Sequence, residues 1–383
     1  MVQGKVFFTF TEIIFTQTKV DIIRPTFILN EKICRRNIRQ MTQKAKKNNL
    51  IFRPHFKTHQ SETIGNWCKE TGVNKITVSS VQMAEYFANA GWTDILIAFP
   101  VNLPEIGQIN NLLQKVKLHL LVESDYSTNY LNKNLAGKTG IYIKIDTGYH
   151  RTGIASNNFN EIKKILKIIR NSGNLEFTGL LTHAGHSYNC KSKEEIIKNH
   201  DDSINQLKII KNYFYRDFPD AIISIGDTPS CSIARDFDGT DEIRPGNFIF
   251  YDVMQSYLGS CKVNDIAVAL ACPIVAKHPE RNEIVIYGGA VHLSKEFVLN
   301  NKKEKVYGLV VKLNQNGWSE PLSDSWVSNL SQEHGIIKVS KNKKLFESLN
   351  IGEIVGLLPV HSCLAANLVN NYKTINGDII NKL

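Results

Sequence analysis

Short apolar runs alternate with amphipathic stretches along most of this chain, and that rhythm predicts its architecture. Phe27-Ile28-Leu29, Leu50-Ile51-Phe52, Ile76-Thr77-Val78, Ile95-Leu96-Ile97-Ala98 and Leu118-His119-Leu120-Leu121-Val122 read as strands. So do Ile141-Tyr142-Ile143-Lys144-Ile145, Leu175–Thr182, Ala221-Ile222-Ile223-Ser224-Ile225 and, last, Phe248–Tyr251. Between them apolar positions recur at helical spacing, as at Ile33, Cys34, Ile38, Met41 and Ala45. Helices are expected near 31–48, 60–72, 81–90, 105–116, 125–134, 158–172 and 193–217. About eight such strand–helix units predict an α/β fold, a parallel (β/α)8 barrel of the TIM type over 22–256, with an open doubly wound sheet as the alternative.

Beyond about residue 260 the texture changes. Val263–Lys277, Glu283–Ile286, Val306–Leu313 and Ile336–Val339 read as strands joined by Gly, Asn and Pro turns, so 257–383 is expected to form an all-β domain. Residues 1–21 alternate Phe, Thr and Ile and are expected to join that domain as a strand or to lead into it. Glu12 interrupts their apolar residues and no basic stretch precedes a long apolar run, so they do not read as a secretory signal.

Composition refines this picture only at the margins. In 383 residues, 42% are hydrophobic and 21% charged, ordinary for a globular enzyme. No apolar run approaches the ~20 residues of a membrane-spanning helix, so no membrane partner is expected. The net charge of +10 raises the question of an anionic partner. The lysines are spread over many segments, however, and none of these interleaves aromatic with basic residues, so no nucleic acid is expected. Seven cysteines without a CxxC pair fit a reduced, cytoplasmic setting.

The candidate chemistry collects at the C-terminal ends of the predicted strands, the face of a barrel where active sites lie. Arg53-Pro54-His55-Phe56-Lys57-Thr58-His59 places one lysine between two histidines. A buried lysine near cations has a lowered pKa and can form an imine with an aldehyde, so Lys57 is the candidate covalent anchor. His55 and His59 would flank it with proton-transfer capacity. In Asp146-Thr147-Gly148-Tyr149-His150-Arg151-Thr152-Gly153 a strand ends in an acid, and Arg151 returns toward the site, where it can bond a phenolate. Thr182-His183-Ala184-Gly185-His186-Ser187-Tyr188 supplies His183, which can stack on an aromatic cofactor, and Tyr188. The hydroxyls of Thr228-Pro229-Ser230 can cradle a phosphate or merely cap a turn. In Arg244-Pro245-Gly246-Asn247 the glycine admits close approach of a ligand, and Arg244 can face a ring nitrogen or a carboxylate. Finally, His361 and Cys363 stand two apart and so on one side of an extended chain. Two first-choice zinc ligands with room for water or substrate read as an open catalytic metal site, and equally as a buried cysteine beside a chance histidine.

Together these motifs resemble the pyridoxal-phosphate enzymes of the alanine racemase-type fold, in the branch of the D-threonine aldolases and D-serine dehydratases, over about 22–370. The resemblance implies that Lys57 holds pyridoxal 5'-phosphate covalently and serves as a base, with His59 and His183 as its catalytic companions. It places His183 by the pyridine ring and Arg151 near the phenolic oxygen. Thr228, Ser230 and Gly246 would hold the phosphate, and Tyr188, Arg244 and Asn247 would complete the cofactor site. His361 and Cys363 would hold a divalent metal near the 3-hydroxyl of an amino-acid substrate. A thiolate is a soft ligand that favours zinc, with manganese second. The family's aldolases carry an acid where Cys363 stands, so the pair resembles the dehydratases more. The implied activity is a metal-assisted lyase acting on a D-3-hydroxy amino acid. The rivals are an amino-acid racemase of the same fold and a non-catalytic pyridoxal-phosphate-binding protein serving cofactor homeostasis. A homodimer is expected, each β domain reaching toward its partner's barrel.

Overall fold

The computed structural model describes residues 20–383; the expected strand in the first residues lies outside that range. Among the described residues, eight parallel strands follow one another around a ring. Ile51–Phe52 pairs with Glu242–Ile243, and the order continues through Ile222–Ile225, Leu175–Leu181, Thr139–Asp146, Lys117–Val122, Asp94–Pro100 and Ile76–Val78. The ring closes where His55 bridges Thr77 in parallel, with Thr77 N donating to Pro54 O (2.9 Å) and Phe56 N to Thr77 O (2.8 Å). The lysine motif is therefore the continuation of the closing strand. It leaves the barrel at the C-terminal rim, where the other strand ends converge.

Helices cover the outside because their apolar stripes match the strands' outer faces. Phe159–Arg170, for instance, buries Ile162, Ile165, Leu166 and Ile169. The barrel's inside is different. A small apolar layer of Leu96, Leu121, Tyr142 and Leu181 adjoins a buried ion network. Arg53 donates from Nε to Glu242 (2.7 Å) and from Nη1 to Asp94 (2.5 Å). Ser224 Oγ (2.7 Å) and Tyr142 OH (3.2 Å) donate to the other Glu242 oxygen.

Two expected strands sit elsewhere. Thr26–Leu29 does not open the barrel: it pairs antiparallel with Val268–Ala271 and parallel with Lys373–Thr374 in the second domain. An apolar run reads the same in either sheet, so periodicity cannot assign it. Phe248–Tyr251 is not a strand. Asn247–Ile249 forms a 3-10 turn, and the eighth barrel strand is the two-residue Glu242–Ile243, cut short by Pro245, which has no N–H for a ladder. The β domain is built on one large sheet, ordered Glu283–Tyr287, His334–Val339, Ser325–Leu330, Gly308–Val311, Ile354–Pro359, Val268–His278, Thr26–Leu29, Asn371–Thr374 and Ile379–Asn381, with two small two-stranded sheets beside it. Its end fastens the lysine loop: Tyr372 OH donates to His59 O and Ser61 Oγ to Asn381 O, both at 2.7 Å, and Leu383 N donates to Gln60 O at 2.8 Å. No helix among the described residues is long and apolar enough to cross a membrane.

Candidate active site

Lys57 stands at the open barrel mouth, in reach of solvent yet ringed by protein. Burial lowers its amine below the ordinary lysine range, and the Arg151 and Arg244 charges push the same way against the opposing Cys363. A lysine with a lowered pKa is a competent nucleophile and base. His55 is held by the turn it stands in, its Nδ1 accepting from Lys57 N (3.4 Å). Burial, then Lys57 and Arg244, keep His55 neutral.

His183 follows strand Leu175–Leu181. Its Nδ1 bonds the carbonyl of Gly226, which can only accept, so Nδ1 carries the proton. Burial first, then the charges of Lys57 and Lys144, hold the ring neutral, which leaves the Nε2 lone pair available in the mouth. Asp146 is a turn former. Its Oδ1 accepts from the N–H groups of Gly148, Tyr149 and His150, each at 3.0 Å, and the turn sends Arg151 back over the ring of Tyr149 (4.9 Å). Arg244 is reached from below. Its Nε donates to Ser224 Oγ and its Nη2 to Thr182 O, both at 2.6 Å, so its guanidinium is committed to the barrel wall while its charge acts upward on His55 and Lys57.

The phosphate candidates show what the site lacks. Thr228 Oγ1, Ser230 Oγ and Asn247 Oδ1 are buried and have no hydrogen-bond partner among the described residues. Buried polar atoms are nearly always paired, so three orphans around one turn mark a place for a ligand. The Ser230 amide is already taken by the capping carboxylate of Asp227 (2.7 Å), which leaves the hydroxyls for the ligand. Gly246 is required: a Cβ there would come within 2.8 Å of His55 O. Tyr188 lies close enough to the Thr228 backbone and to Cys363 to feel both, and burial raises its phenol. Two hydroxyls and an amine flanked by cations fit an aldehyde that carries a phosphate.

His361 and Cys363 begin the helix Ser362–Asn367, just after strand Ile354–Pro359, and face Lys57 of the same chain. Burial alone would lower the His361 imidazole; its hydrogen bond to Cys363, that thiolate's charge and then Asp252 win, and raise it to about 9. Burial would likewise raise the Cys363 thiol; His361 and then Lys57 lower it. Each member favours the charged form of the other, and a metal ion would take the place of the proton between them. Thr58 Oγ1 lies 3.2 Å and Asn247 Nδ2 3.5 Å from the sulfur. No third His, Cys, Asp or Glu joins them as a metal cluster among the described residues, so a bound metal would keep open positions.

His59 is the site prediction that the structure corrects. Its ring turns away from Lys57 into the apolar core, edge-on to Phe56 (4.4 Å) and near Phe87 (6.0 Å). Its Nδ1 accepts from Ser61 N (3.1 Å), and burial pushes its pKa down to about 3. The structure places it in the loop's packing and not beside the Lys57 amine. Lys144 goes the other way. It shares a strand face with Tyr142 and Asp146, and burial, then Arg244 and Arg151, push its amine down to about 7. The alternation of strand Thr139–Asp146 puts positions 142, 144 and 146 on one face, a signal legible in the sequence.

Comparison with known proteins shows what the chain is similar to. Residues 30–253 match the alanine racemase N-terminal domain, and residues 267–375 match a putative serine dehydratase domain. A D-serine dehydratase from Dictyostelium discoideum is 29% identical over 382 residues, covering 92% of this chain and 93% of the relative. A D-threo-3-hydroxyaspartate dehydratase from Delftia sp. (strain HT23) is 24% identical over 372 residues, covering 94% and 96%. The solved structure of the Delftia enzyme shares the fold, with TM-score 0.87 at 23% identity over 96% of this chain and 98% of that one. One of its variants has been solved in a metal-free form. A D-threonine aldolase from Filomicrobium marinum superposes with TM-score 0.78 at 18% identity, covering 93% and 94% of the two chains.

Proposed function

The chain belongs to the family of the alanine racemase N-terminal domain, and we propose that it is a pyridoxal-phosphate-dependent, metal-assisted lyase acting on a D-3-hydroxy amino acid. The observation that carries this reading is the facing of two chemistries in one mouth: Thr58, the neighbour of Lys57, lies 3.2 Å from the Cys363 sulfur, and the lysine and the thiol each shift the other's titration. A racemase needs proton transfer at Cα alone. A metal-binding pair opposite the lysine adds a group for the β-position, and the dehydratases among the relatives act on substrates with a hydroxyl there.

Pyridoxal phosphate, when bound, supplies an aldehyde that captures the amino group and a ring that takes up the electrons released at Cα. A divalent metal on His361 and Cys363 supplies a Lewis acid for the 3-hydroxyl, and zinc suits this donor set. Lys57 would anchor the aldehyde and, once its amine is free, take the Cα proton, a role that its lowered pKa favours. Thr228 and Ser230 donate their free hydroxyls to the phosphate. Arg151 balances negative charge at the mouth, and neutral His183, fixed by Gly226, presents Nε2 to the ring's side of the site. Asn247 and Thr58 steady the Cys363 sulfur.

Loss of the hydroxyl as water would yield a 2-oxo acid and ammonia; cleavage of the Cα–Cβ bond would yield glycine and an aldehyde. Cys363, a soft ligand rather than an acid, favours the first. The test is incubation of purified protein with D-serine, D-threonine and D-threo-3-hydroxyaspartate. A 2-oxo acid is expected, lost on His361→Ala; interconversion of enantiomers with no 2-oxo acid from any of the three, unchanged in that variant, would return the reading to a racemase. A homodimer and a reducing, cytoplasmic setting belong to the same proposal. In their support, Leu299, Leu364 and Leu368 stay exposed on the β domain, where a second copy would cover them, and all seven cysteines are free thiols.

A further inference from the structure

One carboxylate that belongs to none of the motifs joins the two halves of this site. Asp252 lies where the chain leaves the barrel, and it is almost wholly buried. Its Oδ1 accepts from Gln255 N (2.9 Å) and so caps the short helix Val253–Tyr257. A helix cap needs no more than that. Oδ2, however, gathers three further donors: Asn247 Nδ2 at 2.6 Å, Ser362 N at 3.0 Å and Ser362 Oγ at 3.3 Å. Asn247 belongs to the cofactor turn, and its amide nitrogen also reaches Ser362 Oγ (3.0 Å) and Cys363 Sγ (3.5 Å). Ser362 is the residue between His361 and Cys363. A backbone bond from Met254 N to Val360 O (3.2 Å) fixes the same two segments one step further on.

From this geometry we infer that Asp252 is a positioning residue that sets the distance and angle of the His361–Cys363 pair relative to the cofactor turn at Asn247. Cys363 and His361 come from the β domain, and Lys57, Thr228 and Asn247 come from the barrel. Metal assistance requires the metal to meet the hydroxyl of a substrate held from the other side, and misplacement by an ångström costs rate heavily. Asp252 bonds both sides through one oxygen atom, so it constrains their relative placement where two independent hydrogen bonds would not. The Ser362 N–H it holds lies in the backbone that carries both metal ligands, which is the role of an outer-sphere partner. The inference rests on the metal reading above.

The test compares Asp252→Asn and Asp252→Ser with the wild type, all loaded with pyridoxal phosphate, by competitive zinc titration against a chromophoric chelator. Asn and Ser are both good helix caps, so both spare the bond to Gln255 N. Neither presents the anionic oxygen that gathers the other three donors. Zinc affinity should fall about 10- to 100-fold in both variants. Cofactor absorbance per protomer should be unchanged, and KM for a D-3-hydroxy amino acid should change less than kcat. Ser362→Ala, which deletes one of the three donors, should give a smaller fall in the same direction. Zinc affinity within twofold of wild type in both Asp252 variants would overturn the inference and leave the metal reading standing. Wild-type protein that binds no zinc at His361 and Cys363 would overturn both. Loss of cofactor together with zinc, or failure of all three variants to fold, would make Asp252 a general folding residue and overturn the inference alone.

Discussion

The middle of the barrel and its mouth are both polar, and they differ in whether that polarity is satisfied. In the middle, Arg53, Asp94, Glu242, Ser224 and Tyr142 answer one another with short bonds, and the carboxylates of Asp94 and Glu242 are held below their usual range. At the mouth, Thr228 Oγ1, Ser230 Oγ and Asn247 Oδ1 are buried with no partner among the described residues, and the two amines, Lys57 and Lys144, are pushed down. A completed network stabilises a fold; an incomplete one is a place prepared for something else. Charge and burial alone do not separate the two regions, because both are rich in ionisable groups. The count of unmet bonds does.

That contrast can be broken by substitution. The largest effect is expected from Lys57→Ala: activity falls about 10³-fold or more, while the melting temperature of cofactor-free protein stays within a few degrees of wild type. A steady-state assay and a thermal scan on the same preparation decide it, and a variant that melted much earlier would place Lys57 in the structural class. Arg53→Met should do the reverse. It strands the buried Glu242 carboxylate, leaves Asp94 with Lys75 and His119, and should destabilise the protein by about 3–5 kcal/mol in denaturant titration, with little change in kcat of the folded fraction. Stability close to wild type would mean that the network is not the barrel's keystone.

Thr228→Ala and Ser230→Ala should each weaken binding of pyridoxal phosphate by about 10-fold or more, since each loses a hydrogen bond to an anion worth about 1.5–3 kcal/mol. Because these hydroxyls meet no protein partner, the apo protein should be as stable as wild type or slightly more so. The smallest effect concerns pH. The His59 pKa is depressed in the fold to about 3, against about 6.5 for an unfolded chain, so folding favours its neutral form. Stability from this ring is full above pH ~6.5 and is lost as pH falls through the window between the two values. His59→Asn keeps an acceptor for Ser61 N and removes the titration. Its stability should drop less than that of wild type between pH 7 and pH 5, by on the order of 1–2 kcal/mol. Equal pH profiles would show His59 already exposed to protonation.

Most of the fold was legible because a parallel strand buried on both faces is an unbroken apolar run, and these runs recur with helices between them. Thr26–Leu29 was legible as a strand and illegible as to its sheet, since its partners at Val268–Ala271 are far along the chain. Glu242–Ile243 was too short to register, and Phe248–Tyr251 was apolar enough to mislead. The site motifs were legible because strand ends in a barrel share one face. Adjacency to Lys57 misled in the case of His59: two residues on, past the turn, the chain points into the core, beside Phe56 and Phe87. Asp252 escaped because nothing local distinguishes it from an ordinary helix cap. Its meaning lies in Ser362, brought to it by the β domain.

Two amines with lowered pKa values, Lys57 open to solvent and Lys144 buried, serve the same mouth, and the aldehyde is assigned to Lys57. Borohydride reduction of the loaded protein, followed by proteolysis and mass spectrometry, tests that assignment directly. The phosphopyridoxyl label is expected on the peptide that contains Lys57, near one per protomer, and absent from the peptide that contains Lys144. Label on Lys144, or no site-specific label at all, would contradict it.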